Sequence, residues 1–165
     1  IEFVPEPDLS FMNECLKNFD LPKNYALIIP GSSAKMKIKR WPATSYAELS
    51  MVLAQRNITP ILIGTNEDMD AINIIMRMCP NALNLAGKTS IFEIASLGRS
   101  AKFCIGNDTG PMHIIALTKC PTTAIFSTAS FPEKAAPKGK HIKLLIRERL
   151  EDLSLDEVVS SIDLV

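Results

Sequence analysis

Phe103-Cys104-Ile105-Gly106-Asn107-Asp108-Thr109-Gly110-Pro111-Met112-His113 is the stretch that decides the fold. An apolar run, residues 103–105, reads as a strand and passes directly into a Gly/Asn/Asp/Thr turn. Pro111 follows, and it suits the first helical position because its missing N–H has no partner to lose there. A helix is expected over 111–117, with Gly110 capping it and allowing close backbone approach. The N–H groups of Thr109, Gly110, Met112 and His113 then point out along the positive end of the helix dipole, a ready anion site. On spacing alone, a plain strand-to-helix turn capped by Asp108 and Thr109 is the alternative. Asp108 is itself an anion, so it is expected to accept loop N–H groups or pair with a lysine.

The same strand–helix alternation continues in both directions. Residues 26–29 form a buried-type strand ending in Pro30-Gly31. Residues 45–56 read as a helix, with Ser45 and Glu48 at capping-box spacing. Residues 61–63 are a second strand, started by Pro60, where a missing N–H is tolerated. Met69, Ile72, Ile75 and Met76 recur at a helical period within 67–78. A weaker strand, 82–85, precedes a helix over 90–97 with Ser90 and Glu93 as its box. Beyond the quoted stretch come a β-branched strand (122–126), a polar, Pro-containing loop (127–140), a sixth strand (142–146) and a last helix (154–162) with Ser154 and Glu157 as its box. Residues 1–24 are a leading segment broken by Pro5 and Pro7, with a helix expected over 9–19. There is no internal repeat.

Strands separated by helices imply right-handed crossovers and a parallel sheet. Strands apolar on both faces imply helices on both sides. The expected fold class is therefore α/β, a doubly wound, Rossmann-like parallel sheet of about six strands. In the order 3-2-1-4-5-6, strands 1 and 4 are neighbours where the winding reverses, and ligands bind outside their carboxyl ends. This selects the loops 30–40 and 106–111. The first offers the Ser32 and Ser33 hydroxyls, then Lys35, Lys37, Lys39 and Arg40. Its cations suit phosphates held across the switch point. A solvated surface run is the alternative.

Composition limits the function. The 165 residues suit a single domain, and 47% apolar with 22% charged residues is ordinary globular usage. Eighteen basic residues balance eighteen acidic ones, so no global field exists to hold nucleic acid. No apolar run approaches the ~20 residues of a membrane span. Cys15, Cys79, Cys104 and Cys120 are far apart and lack CxxC spacing, which reads as free buried thiols. A first residue that is Ile1 rather than methionine suggests a piece of something longer.

Two other features are set aside. Gly87-Lys88-Thr89 resembles the end of a P-loop, but Ala82 stands where its first glycine belongs. GxGxxG and GxSxG are both absent, so neither a dinucleotide fingerprint nor a hydrolase elbow is present. His113 and His141 have no metal-ligand spacing. Of the two, His113 is the better candidate for a role in a site.

Taken together, three ordered motifs resemble the ADP-heptose:lipopolysaccharide heptosyltransferases, glycosyltransferase family 9. Pro30-Gly31-Ser32-Ser33 with Lys39-Arg40-Trp41-Pro42 and Tyr46-Ala47-Glu48-Leu49 is similar to the first motif. Leu85-Ala86-Gly87-Lys88-Thr89-Ser90 with Glu93-Ile94-Ala95 is similar to the middle one, and Asp108-Thr109-Gly110-Pro111-Met112-His113 with Ala116 to the most specific one. The likeness runs from about residue 25 to residue 162.

The resemblance implies the C-terminal half of a two-domain GT-B glycosyltransferase, so residues 1–165 are expected to be one nucleotide-sugar-binding domain. It implies ADP-heptose as donor, a lipid A–Kdo acceptor held by the absent N-terminal half, and inverting transfer without metal or cofactor. It also implies a cytoplasmic enzyme, with the full-length protein peripheral to the inner membrane. By that analogy Ser32, Ser33, Lys39, Asp108, Thr109, Gly110 and His113 hold the donor diphosphate. Glu67 or Asp68 binds the ribose, and Lys88, Thr89 and Ser90 edge the adenine pocket. No residue matches the family's catalytic carboxylate, which belongs to the other half, so this piece alone is expected to be inactive. The spacer from Ser33 to Lys39 is longer than usual, which leaves Lys37 able to share or replace the role of Lys39. Ser127 stands where a glycine is common. Two further readings remain: a stand-alone flavodoxin-like binding or regulatory module, and a GT-B relative acting on another nucleotide sugar.

Overall fold

The computed structural model describes residues 8–10, 16–32, 39–162 and 164. Ser33, Lys35, Lys37, Cys15 and the middle of the helix expected over 9–19 (residues 11–15) fall outside them; Leu9, Ser10 and residues 16–19 are coil and turn. Leu16, Phe19 and Leu21 pack on the core.

Six strands form one parallel sheet: β1 (Tyr25–Ile29), β2 (Thr59–Leu62), β3 (Leu83–Asn84), β4 (Cys104–Asn107), β5 (Thr122–Ser127) and β6 (Ile142–Arg147). Their order is β3-β2-β1-β4-β5-β6, the doubly wound order expected from the alternation. The central register pairs Leu27 with Cys104 and Ile29 with Gly106. Among the described residues six helices accompany the strands: α1 (Ala43–Gln55), α2 (Met69–Met78), α3 (Ile91–Ser100), α4 (Gly110–Leu117), α5 (Pro132–Ala135) and α6 (Leu155–Ser161).

Alternate residues of β1, β2, β4 and β5 enter two cores, whereas β6 leaves Leu144 and Ile146 exposed on one face. Ala26, Ile28, Leu62, Ile105 and Ile125 meet the apolar faces of α1, α2 and α6. Leu27, Ile29, Ile61, Cys104, Ala124 and Phe126 meet α3 and α4. Burying both faces removes apolar area from water at roughly 25 cal/mol per Å² and explains why the strands lack polar alternation. Among the described cysteines, Cys79, Cys104 and Cys120 are free and buried. No described helix is long and apolar enough to cross a membrane.

Three local expectations change. The Ser45–Glu48 capping box does not form, because α1 begins at Ala43 with Pro42 as its cap residue. Buried Trp41 directs the chain into the helix before Ser45 is reached, and Tyr46 N–H already donates to the Pro42 carbonyl at 3.1 Å. Gly110, not Pro111, is the first residue of α4, and Thr109 is its cap. The 127–140 loop holds a short 3-10 turn and α5. The boxes Ser90–Glu93 and Ser154–Glu157 are both present. A third reciprocal box, Thr65 with Asp68, starts the turn before α2. Its Thr-x-x-Asp spacing is visible in the sequence, with Asp in place of the usual Glu.

Candidate functional site

The carboxyl ends of β1, β2 and β4 converge on a cleft of about 490 Å³. Its walls include Ser32 after β1, Gly64, Thr65, Glu67 and Asp68 after β2, and Asp108, Thr109, Gly110, Pro111 and His113 at the start of α4. This is the switch point, where adjacent crossovers leave in opposite directions and open a crevice.

Asn107, the last residue of β4, ties the two sides of the switch point together. It is fully buried. Its Oδ1 accepts from the Trp41 backbone N–H at 3.1 Å and from the Tyr46 hydroxyl at 2.8 Å. Its Nδ2 donates to the Pro30 carbonyl at 2.9 Å and to that of Gly31 at 3.3 Å. A buried amide is tolerated only when satisfied in this way. Trp41 is pinned in turn by Nε1 donating to the Leu153 carbonyl at 2.9 Å and by an edge contact with Tyr46, ring centroids 4.8 Å apart. The tryptophan of the Lys-Arg-Trp-Pro motif therefore holds the loop to the body of the domain.

A second tie joins β1 to β2. Arg40 Nε donates to Ser32 Oγ at 2.9 Å, and its Nη2 donates to the Ser32 carbonyl at 2.6 Å. Arg40 Nη2 also lies 3.9 Å from Asp68 Oδ1. Asp68 Oδ2 accepts from Thr65 N–H at 2.8 Å and from its hydroxyl at 3.2 Å. The carboxylate lies where side chains on Gly31 and Gly64 would stand: a Cβ on Gly31 would overlap it, and one on Gly64 would be 2.9 Å away. Both glycines are thus required by close approach.

The loop before α4 presents Thr109 and Asp108. Thr109 Oγ1 is buried without a hydrogen-bond partner. Such an orphan hydroxyl is costly unless a ligand satisfies it. Burial pushes the Asp108 carboxyl above its ordinary range, and the nearby His113 and Lys39 partly offset this. His113 Nε2 is 3.9 Å from Asp108 Oδ1. The sequence suggests loop N–H groups or a lysine as partners of Asp108; the structure sets His113 beside it, with Lys39 acting on it through charge.

Of the residues singled out from sequence, Ser32, Glu67, Asp68, Asp108, Thr109, Gly110 and His113 line one cleft. Lys39 is half-buried beside it, close enough to act on Asp108. Lys88, Thr89 and Ser90 are not in its lining. Their loop flanks it through Gly87 N–H, which donates to the Gly64 carbonyl at 2.9 Å. Lys88 Nζ donates to the Asn84 carbonyl at 3.3 Å, and Ser90 caps α3. Glu67 is exposed, whereas Asp68 is buried and fixed. The sequence does not single out Asn107, and it offers Arg40 only as one of four loop cations. The signal for Asn107 is a lone amide ending an apolar strand; nothing distinguishes Arg40 from its cationic neighbours.

The model of glycosyltransferase family 9 (heptosyltransferase) matches residues 5–158. The chain belongs to this family. Heptosyltransferase-family relatives include lipooligosaccharide heptosyltransferase 2 of Haemophilus influenzae, 33% identical over 121 residues, covering 68% of this chain and 35% of that protein. Lipopolysaccharide heptosyltransferase 2 of Salmonella typhimurium is 31% identical over 114 residues, covering 65% of the chain and 33% of the relative. The solved structure of E. coli ADP-heptose lps heptosyltransferase II superposes with a TM-score of 0.76 at 25% identity, over 84% of this chain and 45% of that one. E. coli heptosyltransferase WaaC with ADP shares the fold, with a TM-score of 0.74 at 22% identity. This family member thus spans about a third of the length of the curated relatives it matches. The family motifs read from the sequence and the family model agree.

Proposed function

We propose that this chain is the donor-nucleotide half of a heptosyltransferase, corresponding to the C-terminal domain of the GT-B enzymes, and that it binds the ADP portion of ADP-heptose. The observation that carries this is the cleft where Ser32, Asp68, Asp108, Thr109 and His113 meet at the open N-terminus of α4. The diphosphate would lie against the N–H groups of Thr109 and Gly110 and the Thr109 hydroxyl, a buried side-chain group without a hydrogen-bond partner among the described residues. Lys39 would supply the countercharge, and Ser32, held by Arg40, a hydroxyl. Ser33 and Lys37 keep their assigned roles as expectations.

Asp68 is the better ribose acceptor. Its Oδ2 is bound to Thr65 while Oδ1 faces Arg40 across 3.9 Å, so it meets a ligand in a fixed position. Glu67 is on the rim. Lys88, Thr89 and Ser90 flank the cleft on the side where the base would leave it.

Transfer would be inverting. A carboxylate from the other half deprotonates an acceptor hydroxyl of the lipopolysaccharide inner core (lipid A–Kdo), which attacks the anomeric carbon as ADP leaves. The residues here stabilise charge on the leaving diphosphate, which is electrostatic catalysis and requires no metal on this reading. The chain alone then binds ADP and transfers nothing. The full-length enzyme would work at the cytoplasmic face of the inner membrane.

Titration calorimetry with ADP tests this. Saturable binding, tighter than for UDP, is expected. No heat at millimolar ADP from a folded sample would refute it, and tighter binding of UDP would move the assignment to a relative with another donor.

A further inference from the structure

The loop after β5 holds its backbone in an unfavourable shape. Phe131 has φ 50° and ψ 64°, the left-handed region. Among the described residues, the non-glycine positions with positive φ are Asn57, Lys119 and Phe131. Asparagine tolerates this conformation, and Lys119 lies just past the end of α4, where a left-handed residue closes the last turn. Phe131 has neither reason, and it precedes Pro132, a place that favours extended backbone. Its side chain is 66% exposed, more than any other large apolar side chain among the described residues. The neighbouring Ser130 is buried, and its Oγ has no hydrogen-bond partner among the described residues. Two consecutive residues thus cost the free domain stability, a pattern that collects at ligand-contacting loops. The Phe131 carbonyl accepts from Lys134 N–H at 2.9 Å and from Ala135 N–H at 3.1 Å, and Ser127 Oγ accepts from Ala129 N–H at 3.2 Å. These bonds fix the backbone on both sides of Phe131.

The position of this loop gives the strain a use. Along the carboxyl edge the strands stand in the order β3-β2-β1-β4-β5-β6. Residues 88–90 follow β3, Asp68 follows β2, Ser32 follows β1 and Thr109 follows β4. On the donor reading these take base, ribose and diphosphate in that order, so the group on the far phosphate leaves toward β5. The described walls of the cleft stop at the start of α4 on this side. β5 is one strand spacing further along, about 4.8 Å, with Ile125 level with Asn107. The loop that carries Phe131 is the next element that a transferred sugar meets.

We propose that Phe131 is a sugar-contacting residue of the donor site, its ring forming an apolar platform for the C–H face of the sugar carried on the diphosphate. This rests on the donor-nucleotide reading above. A sugar ring presents C–H groups of partial positive charge on one face, and the negative face of an aromatic ring attracts them. An aromatic side chain has only two torsions, so holding it against a ligand costs little entropy. The left-handed backbone leaves the ring outside both cores of the domain and available to a ligand. A glycine would make the same turn at lower cost; what phenylalanine adds there is contact area.

Titration calorimetry of the 165-residue chain with ADP and with ADP-heptose tests this. The parent chain should bind ADP-heptose about tenfold more tightly than ADP. Phe131→Ala should abolish that difference while leaving ADP affinity within about twofold, and Phe131→Tyr should keep it. Phe131→Gly should abolish it too, yet raise the melting temperature by about 3 °C, because glycine adopts a positive φ without strain. Loss of the sugar-dependent gain in a variant that melts higher cannot come from damage to the fold. With ADP still bound, equal affinity of the parent chain for both ligands, or an unchanged preference for ADP-heptose in Phe131→Ala, would overturn this proposal alone. No binding of ADP at all would overturn it together with the donor reading.

Discussion

Tyr46 donates its phenolic hydrogen to Asn107 Oδ1 at 2.8 Å, and both residues are fully buried. One amide thereby joins α1, the end of β4 and the loop after β1. The positions of both loops at the switch point depend on it.

Replacing Asn107 with Ala should leave the Tyr46 hydroxyl, the Trp41 N–H and the Pro30 carbonyl unpaired. At about 1–3 kcal/mol per buried orphan, with partial relaxation, a total loss of about 3 kcal/mol is expected. Tyr46→Phe removes one partner and should cost about 1 kcal/mol. Urea unfolding measures both, and the double variant should lose less than the sum.

Arg40 acts on the cleft through Ser32. Arg40→Ala is expected to weaken ADP binding by about tenfold and to cost about 1 kcal/mol of stability. Arg40→Lys should not restore affinity, because an ammonium cannot reach the Ser32 hydroxyl and carbonyl in the same fork. Recovery with lysine would show that only charge matters there.

Asp68 and Glu67 separate by the same assay. Asp68→Asn should weaken ADP binding by about tenfold, whereas Glu67→Gln should change it by less than about twofold. Loss of the effect when the ligand is 2′,3′-dideoxy-ADP would locate it at the ribose. The reverse ranking would make Glu67 the ribose ligand and Asp68 purely a capping group.

Thr109→Val should separate stability from binding. The hydroxyl has no partner in the unliganded domain, so removing it should be neutral or stabilising by up to about 1 kcal/mol. ADP affinity should still fall about fivefold, since a donor to the diphosphate is lost. Thermal melts with and without ADP read both effects.

The raised Asp108 pKa sets a pH dependence. The folded state holds this proton at a pH where the unfolded chain has released it. Stability therefore falls as pH rises from the ordinary carboxylate range through the raised folded value. Asp108→Asn should remove that part of the slope, as shown by urea unfolding at a series of pH values. An unchanged slope would mean that His113 and Lys39 fully compensate the burial.

Much of this was legible in the residues. Short apolar runs, a 3.6-residue helical period, the Ser90–Glu93 and Ser154–Glu157 boxes and the Gly/Pro punctuation are local, and they placed every strand and predicted the β3-β2-β1-β4-β5-β6 order. Parallel-sheet topology then selected the loops after β1 and β4 as the site. The helix start at Ala43 was missed because Trp41, which sets it, is held by Leu153, 112 positions away in sequence.

The sequence by itself thus determined the fold class, the family and the loops that line the cleft, because these follow from local propensity and from a sheet whose central strands bury both faces. Only the tertiary structure decided which polar side chains hold the loops and which face the cleft. Asn107 contacts Trp41 across 66 positions and Pro30 across 77. Asp68 became a fixed carboxylate and Glu67 a rim residue because the close approach of Gly31 and Gly64 leaves room for one side chain. Contacts of that span leave no periodic trace in the chain, and they exist only once the strands stand side by side.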